Sequence, residues 1–149
     1  MKPYVLDTSA LLAYIENEAG AEEIETLFRP ALQNQLPLFL SVLSSIEVFY
    51  ISYQEQGLEV AIERLKLLND LPMTQVTLDA PLIQVIGEIK ATPRMSLADS
   101  CIAGLAKFKQ AILVHKDPEF EPLEGLIEQL KLPYKTATKP SVTRSPRAH

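Results

Sequence analysis

Four acidic residues stand at separated points of this chain. Asp7 closes a short apolar run in Val5-Leu6-Asp7-Thr8-Ser9, and Glu47 lies in Ser44-Ser45-Ile46-Glu47-Val48-Phe49. Asp99 lies in Ser96-Leu97-Ala98-Asp99-Ser100, and Asp117 closes Ile112-Leu113-Val114-His115-Lys116-Asp117. A fold that gathers their carboxylates makes an oxygen-rich cage for a hard divalent cation. Each acid also has a purely structural reading. Ser44-x-x-Glu47 matches a capping box, and Ser96-x-x-Asp99 is a weaker form of it. Asp117 before Pro118 suits an N-cap followed by proline at the first helical position. Asp7 fits a turn after a strand.

The surrounding pattern decides whether the acids can meet. Tyr4–Leu6 reads as a short buried strand, and Thr8-Ser9 offers hydroxyls to cap a helix through Leu11, Leu12, Tyr14 and Ile15. Ala21, Ile24, Leu27 and Phe28 repeat at helical spacing, with Pro30 expected to kink or restart that helix. Leu38–Val42 reads as a second strand. A helix is expected from Ser44 to Gln56, stopped by Gly57, and another carries Leu58, Ala61, Ile62, Leu65 and Leu68.

Gln75–Leu78 reads as a third strand, followed by a helix over Leu82, Ile83, Ile86 and Ile89 that Pro93 breaks. A helix capped by Ser96 runs to Lys109, and Ala111–Val114 reads as a fourth strand. A short helix is expected over Leu123–Leu130, with an edge strand from Tyr134. Strands alternating with helices predict an α/β/α sandwich around a mainly parallel sheet of four to five strands. In such sheets, sites form beyond the carboxyl ends of the strands. Asp7 and Asp117 sit at two such ends. Glu47 and Asp99, one turn into helices, would overhang the same edge.

On a helical wheel, Leu97, Cys101, Leu105 and Phe108 share one face and are expected to pack inward. Asp99 then stands opposite, beside Ala103, Ala106 and Ile102, where small residues leave room for a cation and a phosphate. Glu47 shares its side with Tyr50, Ile51 and Gln54. A semi-buried carboxylate there needs a metal or a cap to compensate it.

Composition bounds the rest. With 149 residues, 47% hydrophobic and 22% charged, the chain suits one soluble globular domain. The lone Cys101 excludes an intramolecular disulfide and fits a reducing cytoplasm. Asp7 and Glu16 interrupt any signal-like apolar segment, and no stretch approaches the roughly 18 residues of a membrane span. Residues 135–149 carry four of the 14 basic residues and no acid, which leaves 10 bases against 19 acids in residues 1–134, a net of −9. So acidic a body suits a metal site better than passive nucleic-acid binding. The tail 135–149 has the Pro/Ser/Thr-rich composition of a disordered segment, whose positive charges are also able to touch a phosphate backbone.

Val5-Leu6-Asp7-Thr8-Ser9-Ala10-Leu11-Leu12-Ala13 resembles the opening signature of the PIN-domain ribonucleases, in particular the VapC-type toxins of toxin–antitoxin pairs. Ser45-Ile46-Glu47-Val48 and Leu97-Ala98-Asp99-Ser100-Cys101-Ile102-Ala103 follow in the family's order at similar spacing. The resemblance covers residues 3 to 134. The fourth motif departs from it: family members often carry Thr-Asn-Asp followed by an acid and Phe, and this chain has His115-Lys116-Asp117-Pro118-Glu119-Phe120. Glu119 is a substitute or supplement for Asp117. His115 reads as a strand residue rather than a catalytic base.

The resemblance implies a metal-dependent endoribonuclease. Carboxylates without Cys or clustered His select Mg²⁺ or Mn²⁺ over zinc, as one or two ions. Asp7 and Asp99 are the expected principal ligands. Glu47 would bind metal directly or through water, or orient the nucleophile, and Asp117 would complete the cage. Ser9 is either a hydroxyl supporting Asp7 or a helix cap. Arg94, Lys107, Lys109 and Lys116 are candidate phosphate contacts or ordinary solvated charges.

RNA is the substrate the family implies, with an antitoxin as protein partner and a homodimer as assembly. Tyr14, Phe49, Tyr50 and Tyr53 would belong either to such interfaces or to the core. Two alternatives stand beside the nuclease. One is a catalytically degraded PIN-like protein- or RNA-binding module, suggested by the fourth motif. The other is a phosphoaspartate receiver, which would need an acidic pair near the first strand where only Asp7 is present.

Overall fold

The structure, a computed structural model, describes residues 1–92 and 95–135. Pro93, expected to break a helix, Arg94, and the tail from residue 136 lie outside the described residues. Five strands, β1 (Tyr4–Leu6), β2 (Leu38–Ser41), β3 (Thr74–Val76), β4 (Ile112–His115) and β5 (Gln129–Lys131), form one sheet in the order β3-β2-β1-β4-β5. Every pairing is parallel, with Val5 opposite both Phe39 and Leu113, and Leu6 opposite Val114. Receiver domains have the order 2-1-3-4-5, so the phosphoaspartate alternative falls with the topology.

Parallel pairing demands a crossover between strands, and the helices supply it. They are α1 (Thr8–Ile15), α2 (Ala21–Leu32), α3 (Val42–Gln56), α4 (Leu58–Asp70), α5 (Ala80–Lys90) and α6 (Leu97–Lys109). Side chains alternate across the sheet. Leu6, Leu38, Leu40 and Val114 pack with Leu11, Ile24, Phe28, Val48 and Ile51 on one face. Val5, Leu113 and Phe39 pack with Ile102, Leu105 and Phe120 on the other. Each buried side chain of Leu or Ile size contributes about 1.5–3 kcal/mol. The result is the expected α/β/α sandwich. α6 lies so close to α5 that a Cβ on Gly104 would stand 2.6 Å from Ile86 Cγ1.

Several boundaries differ from the sequence reading. Strand β2 ends at Ser41, whose hydroxyl accepts the Leu43 amide at 3.1 Å and caps α3. The helix therefore opens at Val42 and not at Ser44. Glu47 lies well past its first turn, and the Ser44–Glu47 capping box does not form. α2 continues through Pro30 to Leu32 without a restart, although Pro30 has no amide to donate within the helix. β3 covers Thr74–Val76 in place of Gln75–Leu78.

The helix expected over Leu123–Leu130 is replaced by a 3₁₀ helix, Pro118–Leu123, and then by β5. Gln129–Lys131 pairs in parallel with Leu113–His115, which draws the end of the expected helix into the sheet. The fifth strand is thus Gln129–Lys131, and Tyr134 lies beyond it, with its hydroxyl on Glu121 at 2.6 Å. Tyr14 packs edge-on against Phe28 with ring centroids 4.9 Å apart, and Tyr50 also joins the core. Tyr53 is exposed beside Phe49. Among the described residues, no helix is long and apolar enough to cross a membrane.

Candidate metal centre

The strand order makes an edge where chemistry can collect. β1 leads to β2 on one side and pairs with β4 on the other, so the chain changes direction beside the carboxyl ends of β1 and β4. Helix α6 must run antiparallel to the strands to reach the start of β4, which returns its N-terminus to that edge. All four predicted acids therefore come from segments that begin or end there.

Asp7 is the N-cap of α1 and is buried; its Oδ1 accepts the Ala10 amide at 2.8 Å. Ser9 Oγ lies 2.8 and 2.9 Å from the two oxygens of Asp7 and accepts the Lys116 amide at 2.8 Å. The Asp7 amide donates to the Val114 carbonyl at 3.0 Å. Ser9 is thus a support for Asp7 and a stitch between the ends of β1 and β4, while the cap of α1, expected from Thr8-Ser9, is Asp7 itself.

Glu47 is 3% exposed. Its carboxylate accepts a hydrogen bond from Thr8 Oγ1 at 2.5 Å. A neighbouring hydroxyl thus supplies part of the compensation that burial demands, and the expected helix cap does not.

Asp99 stands in the first turn of α6, its amide donating to Ser96 Oγ at 3.1 Å as the N-cap reading expected. The wheel reading of α6 is corrected. Leu97 and Phe108 are exposed, while Asp99, Ile102, Ala103 and Ala106 are buried with Cys101 and Leu105. The reason is that α6 is wedged between the sheet and α5, so nearly its whole middle is core. Burial raises the pKa of the Cys101 thiol.

Asp117 caps the 3₁₀ helix, its Oδ1 accepting the Glu119 amide at 2.9 Å, with Pro118 at the first position as expected. One carboxylate oxygen from each of Asp99, Asp117 and Glu119 lies within 4.8 Å of the other two. This is the one such trio of His, Cys, Asp or Glu among the described residues. Asp7 and Glu47 are not in it. The sequence reading gave Glu119 a subsidiary place, and the geometry sets it beside Asp99 and Asp117.

The candidate phosphate contacts fare differently. Lys116 turns its ammonium away to the Ala19 carbonyl, 2.7 Å, and lies 3.8 Å from Glu18. Lys107 is at the far end of α6, about 12 Å along the axis from Asp99 at 1.5 Å per residue. It stands in the last turn of that helix, while Asp99 stands in the first. Lys109 lies over the Phe39 ring, 4.7 Å from its centroid. Arg94 is outside the described residues.

Two supporting contacts went unread in the sequence. Thr8 was seen only as a capping hydroxyl, though a buried Glu47 requires a donor from somewhere. His115 is a strand residue, as expected, and is buried. Its Nδ1 accepts the Asp117 amide at 3.1 Å, which places the proton on Nε2 for Gln129 Oε1 at 2.7 Å. Burial lowers its pKa, and the Gln129 hydrogen bond and the Asp117 charge oppose that shift. Nothing local announces a pair 14 residues apart.

These features agree with known proteins. The family described as PIN domain matches residues 4–126. No curated protein matches the chain. Among solved structures, VapBC2 from Rickettsia felis bound to a promoter DNA fragment superposes with a TM-score of 0.70 at 18% identity, covering 87% of this chain and 98% of that one. DNA-bound VapBC from Salmonella typhimurium gives 0.68 at 19%, covering 88% and 98%. The sarcin–ricin loop cleaving toxin VapC20 of Mycobacterium tuberculosis gives 0.65 at 14%, covering 87% and 99%. At these identities the likeness is one of fold, and the match over residues 4–126 carries the assignment: this chain belongs to the PIN-domain family.

Proposed function

We propose that the protein is a metal-dependent endoribonuclease of VapC type, the toxin of a toxin–antitoxin pair. The observation that carries this reading is the approach of Asp99, Asp117 and Glu119 to within 4.8 Å at the sheet edge that also bears Asp7. Three carboxylates so close repel one another, and a cation between them relieves that repulsion. The donor set is all oxygen, with no Cys or His, and so fits Mg²⁺ or Mn²⁺. One or two such ions, when bound, activate water and offset the charge of an in-line phosphodiester displacement.

Asp7 and Asp99 are the proposed principal ligands, with Asp117 and Glu119 completing the cage. Ser9 fixes the direction of Asp7, and Thr8 holds one oxygen of Glu47. Glu47 would bind the metal directly or through water, or orient the attacking water. RNA, in a single strand or a structured loop, is the proposed substrate, consistent with the fold shared with a toxin that cleaves such a loop. A protein antitoxin is the proposed partner, as in the VapBC complexes, and exposed Tyr53 and Ile46 offer apolar surface for it or for a homodimer. A buried, unpaired Cys101 fits a cytoplasmic protein.

One observation favours a second reading. Asp117 already caps the 3₁₀ helix, and the Thr-Asn of the fourth motif is replaced by His115-Lys116. A catalytically degraded binding module would keep this arrangement without turnover. Mn²⁺ calorimetry on wild type and Asp99→Asn, run beside cleavage of total RNA, separates the two. Binding and cleavage by wild type, both lost in the variant, are expected. A wild type that neither binds nor cleaves would leave the binding module.

A further inference from the structure

We propose that His115, anchored by Gln129, is a positioning residue that sets the place of Asp117 and Glu119 in the acidic trio. The inference rests on the metal-site reading above and assigns a device this chain uses where the family's Thr-Asn is absent.

The ring reaches both ends of the segment that carries the two acids. At one end, Nδ1 accepts the backbone N–H of Asp117 at 3.1 Å. At the other, Nε2–H donates to Gln129 Oε1 at 2.7 Å, and Gln129 Nε2 donates to the Phe120 carbonyl at 2.7 Å. Asp117 and Phe120 bracket Pro118 and Glu119, so the network spans the turn on which Glu119 sits. Within that span, Asp117 Oδ1 accepts the Glu119 amide.

The ring itself has little freedom. It is wholly buried, tilted against Phe120 with centroids 5.2 Å apart, and stacked on Tyr134 at 6.2 Å. Its main chain is held as well, since the Leu132 amide donates to the His115 carbonyl at 2.8 Å. Asp99, on α6, is held separately by Ser96. The distance between the two sides of the trio therefore depends on how rigidly the 3₁₀ segment is pinned. A hydrogen-bond acceptor at the Nδ1 position is what pins Asp117.

The test uses the full-length protein and Mn²⁺ calorimetry, with thermal melts in the absence of metal. His115→Leu removes the acceptor and is expected to weaken Mn²⁺ binding about tenfold or more, in the range seen when supports of ligating groups are lost. His115→Asn restores an oxygen acceptor near the Nδ1 position while still losing the Gln129 anchor. It is expected to recover most of the affinity although its melting temperature stays low. His115→Gln, which keeps a polar group at the Nε2 position but not at Nδ1, should behave as Leu does and serves if Leu fails to fold. Equal Mn²⁺ affinity in wild type and all variants, or affinity that merely follows melting temperature, would overturn the proposal. A wild type that binds no Mn²⁺ would instead overturn the metal-site reading on which it rests.

Discussion

The two sides of the carboxylate edge are built on opposite principles. On one side, Asp7 and Glu47 are buried and supplied with donors: Ala10 N–H and Ser9 for the first, Thr8 for the second. On the other, Asp99, Asp117 and Glu119 bring carboxylate oxygens within 4.8 Å of one another, where like charges repel, and Asp117 also accepts the Glu119 amide. The first side gains stability from its acids. On the second side the close approach of three charges opposes the gain from such hydrogen bonds. A site that must bind a cation needs both, one rigid wall for reference and one wall whose charge is relieved on binding.

That contrast sets the order of expected effects. The largest is Asp99→Asn, which should reduce Mn²⁺ affinity and RNA cleavage at least 100-fold while leaving the melting temperature unchanged or higher, since it removes one of three mutually repelling charges. A substantial loss of thermal stability in this variant would break the comparison. Thr8→Val acts on the other wall: it takes the donor from buried Glu47 and should cost about 1–3 kcal/mol in denaturant unfolding.

Asp7→Ala removes a cap and should cost about 0.5–2 kcal/mol, whereas Asp7→Asn keeps the cap and should lose cleavage with little change in stability. Ser9→Ala loses the stitch to Lys116 and should cost about 1 kcal/mol. The smallest effect is a control on α6. With Cys101 buried and its thiol pKa raised, alkylation by iodoacetamide at pH 7 should be slow in the native protein and fast in denaturant. Rapid native labelling would mean that the helix carrying Asp99 opens readily.

Much of this was legible in advance, and the exceptions share a cause. The alternation of strands with helices predicted the sandwich, and Ser96 and Asp117 were readable as caps because each acts within three residues; Asp7, read as a turn residue, takes the cap expected of Thr8-Ser9. Ser44 misled because Ser41, three residues earlier, has the same chemistry and β2 ends directly on it. The Leu97–Phe108 face misled because periodicity shows which residues align, not which side meets the sheet. The helix over Leu123–Leu130 failed because the spacing of Leu123, Ile127 and Leu130 imitates a helical stripe, while Gln129–Lys131 instead pairs with β4 as the edge strand.

The sequence by itself determined most of the elements, the caps at Ser96 and Asp117, and the positions of the four acids, since propensity, periodicity and capping act over a few residues. Tertiary structure alone decided which acids meet. Glu119 joins Asp99 across 20 residues, Glu47 finds Thr8 across 39, and Ser9 reaches Lys116 across 107. Those encounters depend on strand order and on the direction in which α6 returns to the edge. No short-range signal encodes that arrangement, because it is set by burying both faces of one sheet at once.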